Sequence, residues 1–290
     1  MNEFMSGLAR IAVLIFAITS MASVGLAHSF KEIVYPLRNV RGLIRVLVAN
    51  FILVPILGVA IARMLPLTPA LEVGLILVAM AAGAPFLVKL TKHAEHNVAL
   101  SATLLVLLLP ATVIYMPVVV PLALSDAQIH AGAIAMPLLF TMLLPLAIGL
   151  TVHQRFPELA ERLQPTMGKT SSVMLIVLIT ATVLANFEGV LNVFGTGAIL
   201  AAILLVGGAF LIGYALGGHD PEKRGVLALG TAQRNISAAT VVATQGFEDS
   251  GILVMVITSS LVGFALLFPA ASVLRQRAAK RRFAHSGTYG

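Results

Sequence analysis

Apolar residues in this chain fall into long continuous runs separated by short polar connections. A helix needs roughly 20 apolar residues to cross a bilayer core of about 30 Å. Nine runs come near that length: about 8–27, 46–65, 70–90, 98–123, 130–152, 171–188, 196–217, 224–244 and 250–274. Membrane-crossing strands would alternate apolar and polar residues, so these runs predict helices and not a β-barrel. Two connections, 28–45 and 153–170, are longer and polar enough to be expected along the membrane surface. No stretch is left over for a soluble domain. The pattern predicts one all-α polytopic membrane domain over 1–290, ending in a basic tail at 275–290.

Composition agrees. Of 290 residues, 59% are hydrophobic and 11% charged, and the mean hydropathy is +0.99. A soluble domain carries about 25% charged residues, so an aqueous enzyme or a nucleic-acid module is excluded. There is no cysteine, which removes disulfides, thiolate metal sites and cysteine nucleophiles. With no tryptophan, an interfacial aromatic belt would rest on four tyrosines.

The net charge of +7 is distributed in a way that reads as topology. Lys31, Arg38, Arg41, Arg45, Lys92, Arg155, Arg162, Lys169, Lys223, Arg224 and the cluster Arg275, Arg277, Lys280, Arg281 and Arg282 fall on one side of a nine-span arrangement. The opposite connections, around 66–69, 124–129, 189–195 and 245–249, carry Asp126, Glu188, Glu248 and Asp249 and no Lys or Arg. This predicts an N-terminus outside and a C-terminus in the cytoplasm of a plasma membrane, with a bacterial inner membrane the expected location. The first run, with Arg10 and Gly25-Leu26-Ala27, has the outline of a signal peptide. Cleavage would leave the basic 28–45 segment outside, so the run is expected to be retained.

Two runs are interrupted at matching places. The third contains Ala81-Ala82-Gly83-Ala84-Pro85 and then Lys89; the eighth contains Gly230-Thr231-Ala232-Gln233-Arg234-Asn235. Gly and Pro weaken helices, and the polar cluster would be unfavourable against lipid. Each interrupted run leads through a polar turn into a hydroxyl-dotted, proline-containing span. Repeats are therefore expected at about 8–123 and 171–274, joined by a linking span at 130–152. Corresponding spans are offset by an odd number, so the copies would be inverted. Inverted repeats with paired discontinuous helices are the build of secondary transporters, with the binding site where the breaks meet.

The candidate site residues follow from this. Arg234 lies about ten residues into its run, where an arginine costs on the order of 2.5–3.5 kcal/mol or more to insert. Either it binds or balances an anion, or it is neutralised by carbonyls freed at the break. Lys89 sits beside the other break and near a span end, so a site role and snorkelling to the surface both fit. Gln233, Asn235, Thr231 and Ser237 supply donors and acceptors around Arg234. Ser101, Thr103, Thr258, Ser259 and Ser260 could line the same cavity or bond their own backbone. No metal site is expected: His93, Glu95 and His96 form a thin set on a surface turn. No catalytic pair of carboxylates and no phosphate-cradling loop is present, so no enzymatic role and no cofactor are expected.

The stretch Met21 to Phe30, the break Gly83-Ala84-Pro85 followed by Asn97 to Thr103, and Gln233-Arg234-Asn235 followed by Ala238-Ala239 resemble the bile acid:sodium symporter family. The resemblance runs in order through nearly the whole chain. It implies a panel of the first, fifth and sixth spans, and a core carrying crossed, discontinuous third and eighth spans. It also implies alternating-access transport of organic anions with sodium. The chain departs from the family pattern at the ion site. Sodium-coupled members place a glutamate a few residues before a Gln-Asn pair; here the matching positions are Leu229 or Gly230, and Arg234 occupies or abuts the pair. The first break reads Phe86-Leu87-Val88-Lys89 where the family has Ser-Asn. A cation there would repel sodium.

The expected function is secondary transport of a small organic anion, with Arg234, alone or with Lys89, standing where sodium would sit. The protein would then be a facilitator or a carrier coupled through a lysine proton. The alternative is a membrane sensor or scaffold that kept the fold and lost transport. Expected partners are the small organic anion and the lipid bilayer; nothing points to nucleic acid or identifies a protein partner.

Overall fold

The computed structural model describes residues 2–29, 31, 40–124, 131–185, 193 and 195–286, and the regular structure of these residues is helical throughout. Helix α1 is Asn2–Ala27. Helix α2 runs Val40–Val48, passes through a π-helical turn Ala49–Leu53 and continues as Val54–Met64. The third run is split into α3, Pro69–Met80, and α4, Leu87–His93. Next comes α5, Val98–Ala123. Helix α6 repeats the plan of α2, with Ala131–Leu138, a π-helical turn Leu139–Leu143 and then Leu144–Arg155. Then follow α7, Pro157–Ala185, and α8, Ala198–Leu216. The eighth run is split into α9, Pro221–Ala232, and α10, Ile236–Gly246, and α11 is Ser250–Ser286.

Six of these helices, α1, α2, α5, α6, α8 and α11, are long and apolar enough to cross a membrane. The half-helices of the two broken runs, of 12, 7, 12 and 11 residues, are each shorter than a span. Side chains such as Ile56, Ile114, Leu122 and Leu211 are more than half exposed on the outer helix faces, as lipid contact requires.

One expectation is corrected and two are refined. The 153–170 segment does not lie as a loop along the surface: only Phe156 interrupts the helix, and α7 starts at Pro157. Proline suits the first helical turn, and Glu158, Leu159, Ala160, Glu161, Arg162 and Leu163 are helix formers. Polarity there marks an exposed face of a helix. The basic tail is also helical, since α11 continues to Ser286 and Arg275 Nε lies 3.9 Å from Glu95 Oε1. In the eighth run, Gly230, Thr231 and Ala232 stay helical, and the break is confined to Gln233, Arg234 and Asn235. Of the 28–45 connection, residues from Val40 belong to α2, while 30 and 32–39 lie outside the described residues; so do Asp126 and Glu188. Arg63, near the end of α2 where no base was expected, pairs with Glu72 (Nε to Oε1 3.2 Å).

Each π-helical turn has a local cause. Pro55 and Pro145 follow the turns, and proline has no N–H to give the carbonyl four residues back. The chain absorbs the defect by widening: Val54 N–H bonds Ala49 O, and Leu144 N–H bonds Leu139 O. In α2 this leaves Asn50 O and Phe51 O without helical donors. Phe51 O accepts the Tyr115 hydroxyl from α5 at 2.9 Å.

The helices pack as two groups. Helices α1, α6 and α7 pack on one another, and α2, α3, α4, α5, α8, α9, α10 and α11 pack on one another. The groups meet where α10 touches α1 and α6, α5 touches α6, and α11 touches α7. Within the larger group, exchanging α2 with α8, α3 with α9, α4 with α10 and α5 with α11 maps main contacts onto each other. Thus α2–α3 becomes α8–α9, α3–α11 becomes α9–α5, and α4–α9 becomes α10–α3. The same small-residue contact recurs, with Gly58 of α2 against Ala79 of α3 and Gly213 of α8 against Ala228 of α9. Close backbone approach through small residues is how membrane helices associate. In the smaller group, a Cβ at Gly149 of α6 would lie 2.7 Å from Ala22 O of α1.

Gly83 has two reasons to be glycine. Its φ is +75°, and a Cβ there would come 2.8 Å from Leu109 N and 2.9 Å from the carbonyl carbon of Leu108. Left-handed backbone costs a side-chain-bearing residue about 1–2 kcal/mol, and the clash adds to it. Gly83→Ala is expected to lower the thermal unfolding midpoint of the purified protein in detergent clearly. Gly7→Ala, at a site with nothing within 4 Å of the added Cβ, should leave the midpoint unchanged or raise it.

Candidate functional site

The two breaks meet. Asn235 N–H of the second break donates to Ala81 O of the first at 2.8 Å, so a backbone hydrogen bond joins two chain segments more than 150 residues apart. The helices that follow are capped on the spot. Asn235 Oδ1 accepts from Ala238 N at 3.1 Å to start α10, as Asn97 Oδ1 accepts from Leu100 N at 2.9 Å to start α5. The first break is held from the side by Thr112, whose hydroxyl donates to Ala82 O at 3.0 Å.

Arg234 fills the crossing. It is 4% exposed, and its guanidinium reaches acceptors on three helices. Nε donates to Val78 O at 3.2 Å and Nη2 to Ala79 O at 2.6 Å, both in the last turn of α3. Nη1 donates to Thr231 O, in the last turn of α9, at 3.1 Å. Asn50 of α2 receives two further bonds, Nη1 to Oδ1 at 2.9 Å and Nη2 to its carbonyl at 3.5 Å. That carbonyl is one of the two the π-helical turn releases. Asn50 Nδ2 in turn donates to Val46 O at 3.0 Å and Thr231 Oγ1 at 3.4 Å. A helix C-terminus carries partial negative charge on its unsatisfied carbonyls, and two such ends converge on one guanidinium. No carboxylate pairs with Arg234 among the described residues.

The other candidates divide around this centre. Thr231, Gln233, Asn235 and Ser237 are all buried at the crossing. Gln233 Oε1, Asn235 Nδ2 and Ser237 Oγ are buried polar atoms without a partner among the described residues, as are Thr240 Oγ1 and Ser259 Oγ. Ser101 and Ser260 are buried but turn to their own helices, bonding Val98 O at 2.7 Å and Val256 O at 2.8 Å. Thr258 of α11 is half-buried. Lys89 is not brought to Arg234: it is exposed on α4, with Nζ 3.3 Å from Ser172 Oγ of α7 and 5.6 Å from the centre of the Phe86 ring.

Thr103 lies elsewhere, on the wall of an open cavity of about 1400 Å³ between α2, α5 and the α8–α9 turn. Arg41, Arg45, Lys223 and His219 line the same cavity, with Leu104 and Leu107. Sequence reasoning assigned Arg41, Arg45 and Lys223 to topology and passed over Asn50. The signal for Asn50 was available: it is a lone amide in an apolar run, four residues ahead of a Val-Pro pair.

The sequence profile described as the Sodium Bile acid symporter family matches residues 13–193, more than half of the chain. The chain belongs to this family. Within the sodium bile acid symporter family, it is similar to the probable chloroplastic sodium/metabolite cotransporter BASS2 of Oryza sativa subsp. japonica, with 30% identity over 200 residues, 68% of this chain and 47% of the relative. It is also similar to the probable chloroplastic sodium/metabolite cotransporter BASS3 of Arabidopsis thaliana, with 25% identity over 236 residues, 79% of this chain and 55% of the relative. The chain spans about half the length of these curated relatives. Family membership accords with an all-helical, multi-pass membrane protein.

Removing Arg234 leaves buried carbonyls on α2, α3 and α9 without donors, at about 1–3 kcal/mol for each group left unpaired. Arg234→Ala is expected to destabilise the protein by about 3–5 kcal/mol, read as a fall in thermal unfolding midpoint. Arg234→Lys should recover little, since one ammonium cannot span acceptors that a planar fork reaches. Asn50→Ala should cost about 1–2 kcal/mol alone and much less in the Arg234→Ala background, because the two residues share one network.

Proposed function

We propose that this chain is a secondary transporter that moves a small organic anion by alternating access and does so without sodium. The observation that carries this reading is the guanidinium of Arg234 on the carbonyl ends of α3 and α9. In transporters with broken helices, unwound carbonyls and half-helix C-termini are the groups that coordinate a cation. Here they already hold one covalently attached to the chain. A sodium ion also wants several oxygen ligands, usually with a carboxylate among them. Leu229 and Gly230 offer none, and the described residues contain no cluster of acidic or histidine side chains of metal-binding size. The crossing does not fit sodium.

The relatives' names describe sodium/metabolite cotransporters, which supports transport of a small molecule as the ancestral activity. In this reading the halves are inverted repeats, α1, α6 and α7 form the panel, and the other helices form the core that shifts against it. Lys89, tied to Ser172 on the panel side and away from the crossing, favours a facilitator over coupling through a lysine proton. The distribution of bases supports an N-terminus outside and a C-terminus in the cytoplasm, in a bacterial inner membrane.

The filled crossing also suits a sensor or scaffold that no longer transports. The open cavity favours transport over that reading. Counterflow in proteoliposomes with a panel of carboxylates and sulfonates separates the two: exchange of at least one anion is expected, and its rate should not change when choline replaces sodium. Sodium-dependent uptake that survives in Arg234→Ala would defeat the assignment of Arg234 as the resident cation. Absence of exchange with every anion, from folded protein, would favour the scaffold.

A further inference from the structure

The bases that read as a topology code are not equivalent in space. Arg155, Arg162 and Lys169 stand apart from the cavity, whereas Lys31, Arg41, Arg45 and Lys223 line it, the two arginines on a single helix. Lys223 is occupied, with Nζ 3.8 Å from Asp220 Oδ2. Among the described residues Asp220 is the one acidic residue on the cavity wall, and its Oδ1 already caps α9 through Glu222 N at 2.9 Å and Lys223 N at 3.5 Å. Arg41 and Arg45 have no hydrogen bond or ion pair among the described residues. They sit four apart on α2, hence on one face with Cβ atoms about 5–6 Å from each other. Arg45 leans toward the α8–α9 turn, where a Cβ added at Gly218 would come 3.2 Å from Nη1. Topology alone asks only that bases lie on this side of the membrane. It does not ask that two of them be turned, unpaired, into a cavity.

Beyond the arginines and a polar edge of His28, Lys31, His219, Asp220 and Lys223, the wall is apolar, with Leu43, Val46, Leu104, Leu107 and Leu227, broken by Thr103 and Asn97. A guanidinium binds a carboxylate through two parallel hydrogen bonds. Two guanidinia one turn apart suit two carboxylates on neighbouring carbons, and the apolar wall suits a hydrocarbon substituent. We propose that the cavity takes an organic dianion, two carboxylates on one apolar frame, with Arg41 and Arg45 each receiving one carboxylate. This deepens the transport reading and rests on it for its use in the cell, but the binding itself can be measured apart from transport.

The test is calorimetric titration of the full chain in nanodiscs of phosphatidylcholine with benzylsuccinate and with 4-phenylbutanoate, which has the same frame and one carboxylate fewer. The diacid is expected to bind about tenfold more tightly, the worth of one additional charge-assisted carboxylate pair. Arg41→Gln and Arg45→Gln should each remove most of that preference while the unfolding midpoint stays at the wild-type value. Arg45→Lys should keep part of it. Equal affinity for the two acids, failure of both to bind, or a preference that survives in both glutamine variants would overturn the proposal. So would loss of diacid binding when phosphatidylglycerol replaces phosphatidylcholine, because the arginines would then belong to lipid headgroups. Diacid binding without any counterflow would leave this site standing and defeat the transport reading. Counterflow of monoacids with no preference for the diacid would do the reverse.

Discussion

Inside a bilayer, a backbone carbonyl that has lost its helical partner must find a donor within the protein. Breaking two helices at the same depth raises that requirement several times over, and one side chain meets most of it. The Arg234 guanidinium serves carbonyls on α2, α3 and α9, and the neighbouring Asn235 amide serves Ala81 O on the first break. The charge tolerates burial because the groups around it are the negative ends of two helix dipoles. Without that arrangement neither the breaks nor their crossing would be compatible with an apolar surrounding.

The geometry of the crossing reaches outward through α2. Pro55 removes one N–H, the helix widens to accommodate the loss, and the carbonyls so released are taken up by Arg234 and Tyr115. A proline in an otherwise apolar span therefore prepares the acceptor that a buried arginine needs, some 180 positions later in the chain. Glycines at 58 and 213 then let α2 and α8 lie directly on the half-helices α3 and α9. Polar satisfaction and close packing are two aspects of one assembly, since the guanidinium can reach all its acceptors only when these backbones approach closely.

What the chain disclosed in one dimension depends on whether its signal was local. The breaks were legible because Gly83, Pro85 and Gln233-Arg234-Asn235 contradict the apolar runs that contain them. Arg234 was legible as an anomaly for the same reason, and so were both of its readings, anion binder or partner of freed carbonyls. Its partners were not legible: no periodicity links Asn50 to Arg234, and a released carbonyl leaves no trace in side-chain composition. The 153–170 segment misled because averaged polarity cannot distinguish a surface loop from a helix with an exposed face. Lys89 misled because nearness to a break along the chain is not nearness in space, and α4 turns it toward α7. Arg41 and Arg45 were hidden by a rule that explained them sufficiently without reference to the cavity they line.

The asymmetry at the crossing bears on how such a protein can change over generations. The two halves exchange contacts nearly one for one, but Arg234 has no counterpart in the first break, where residues 81–86 carry no charged side chain. Exchanging the arginine for a neutral residue orphans several carbonyls, and adding a carboxylate beside the intact arginine would bury a second charge at a closed site. Each single substitution passes through a form weakened by several kcal/mol, comparable to the whole stability of many domains. A chain with this arginine and one without it are thus separated by a valley in sequence space. Lineages carrying this arginine would be expected to keep it long after the selective reason for it has gone.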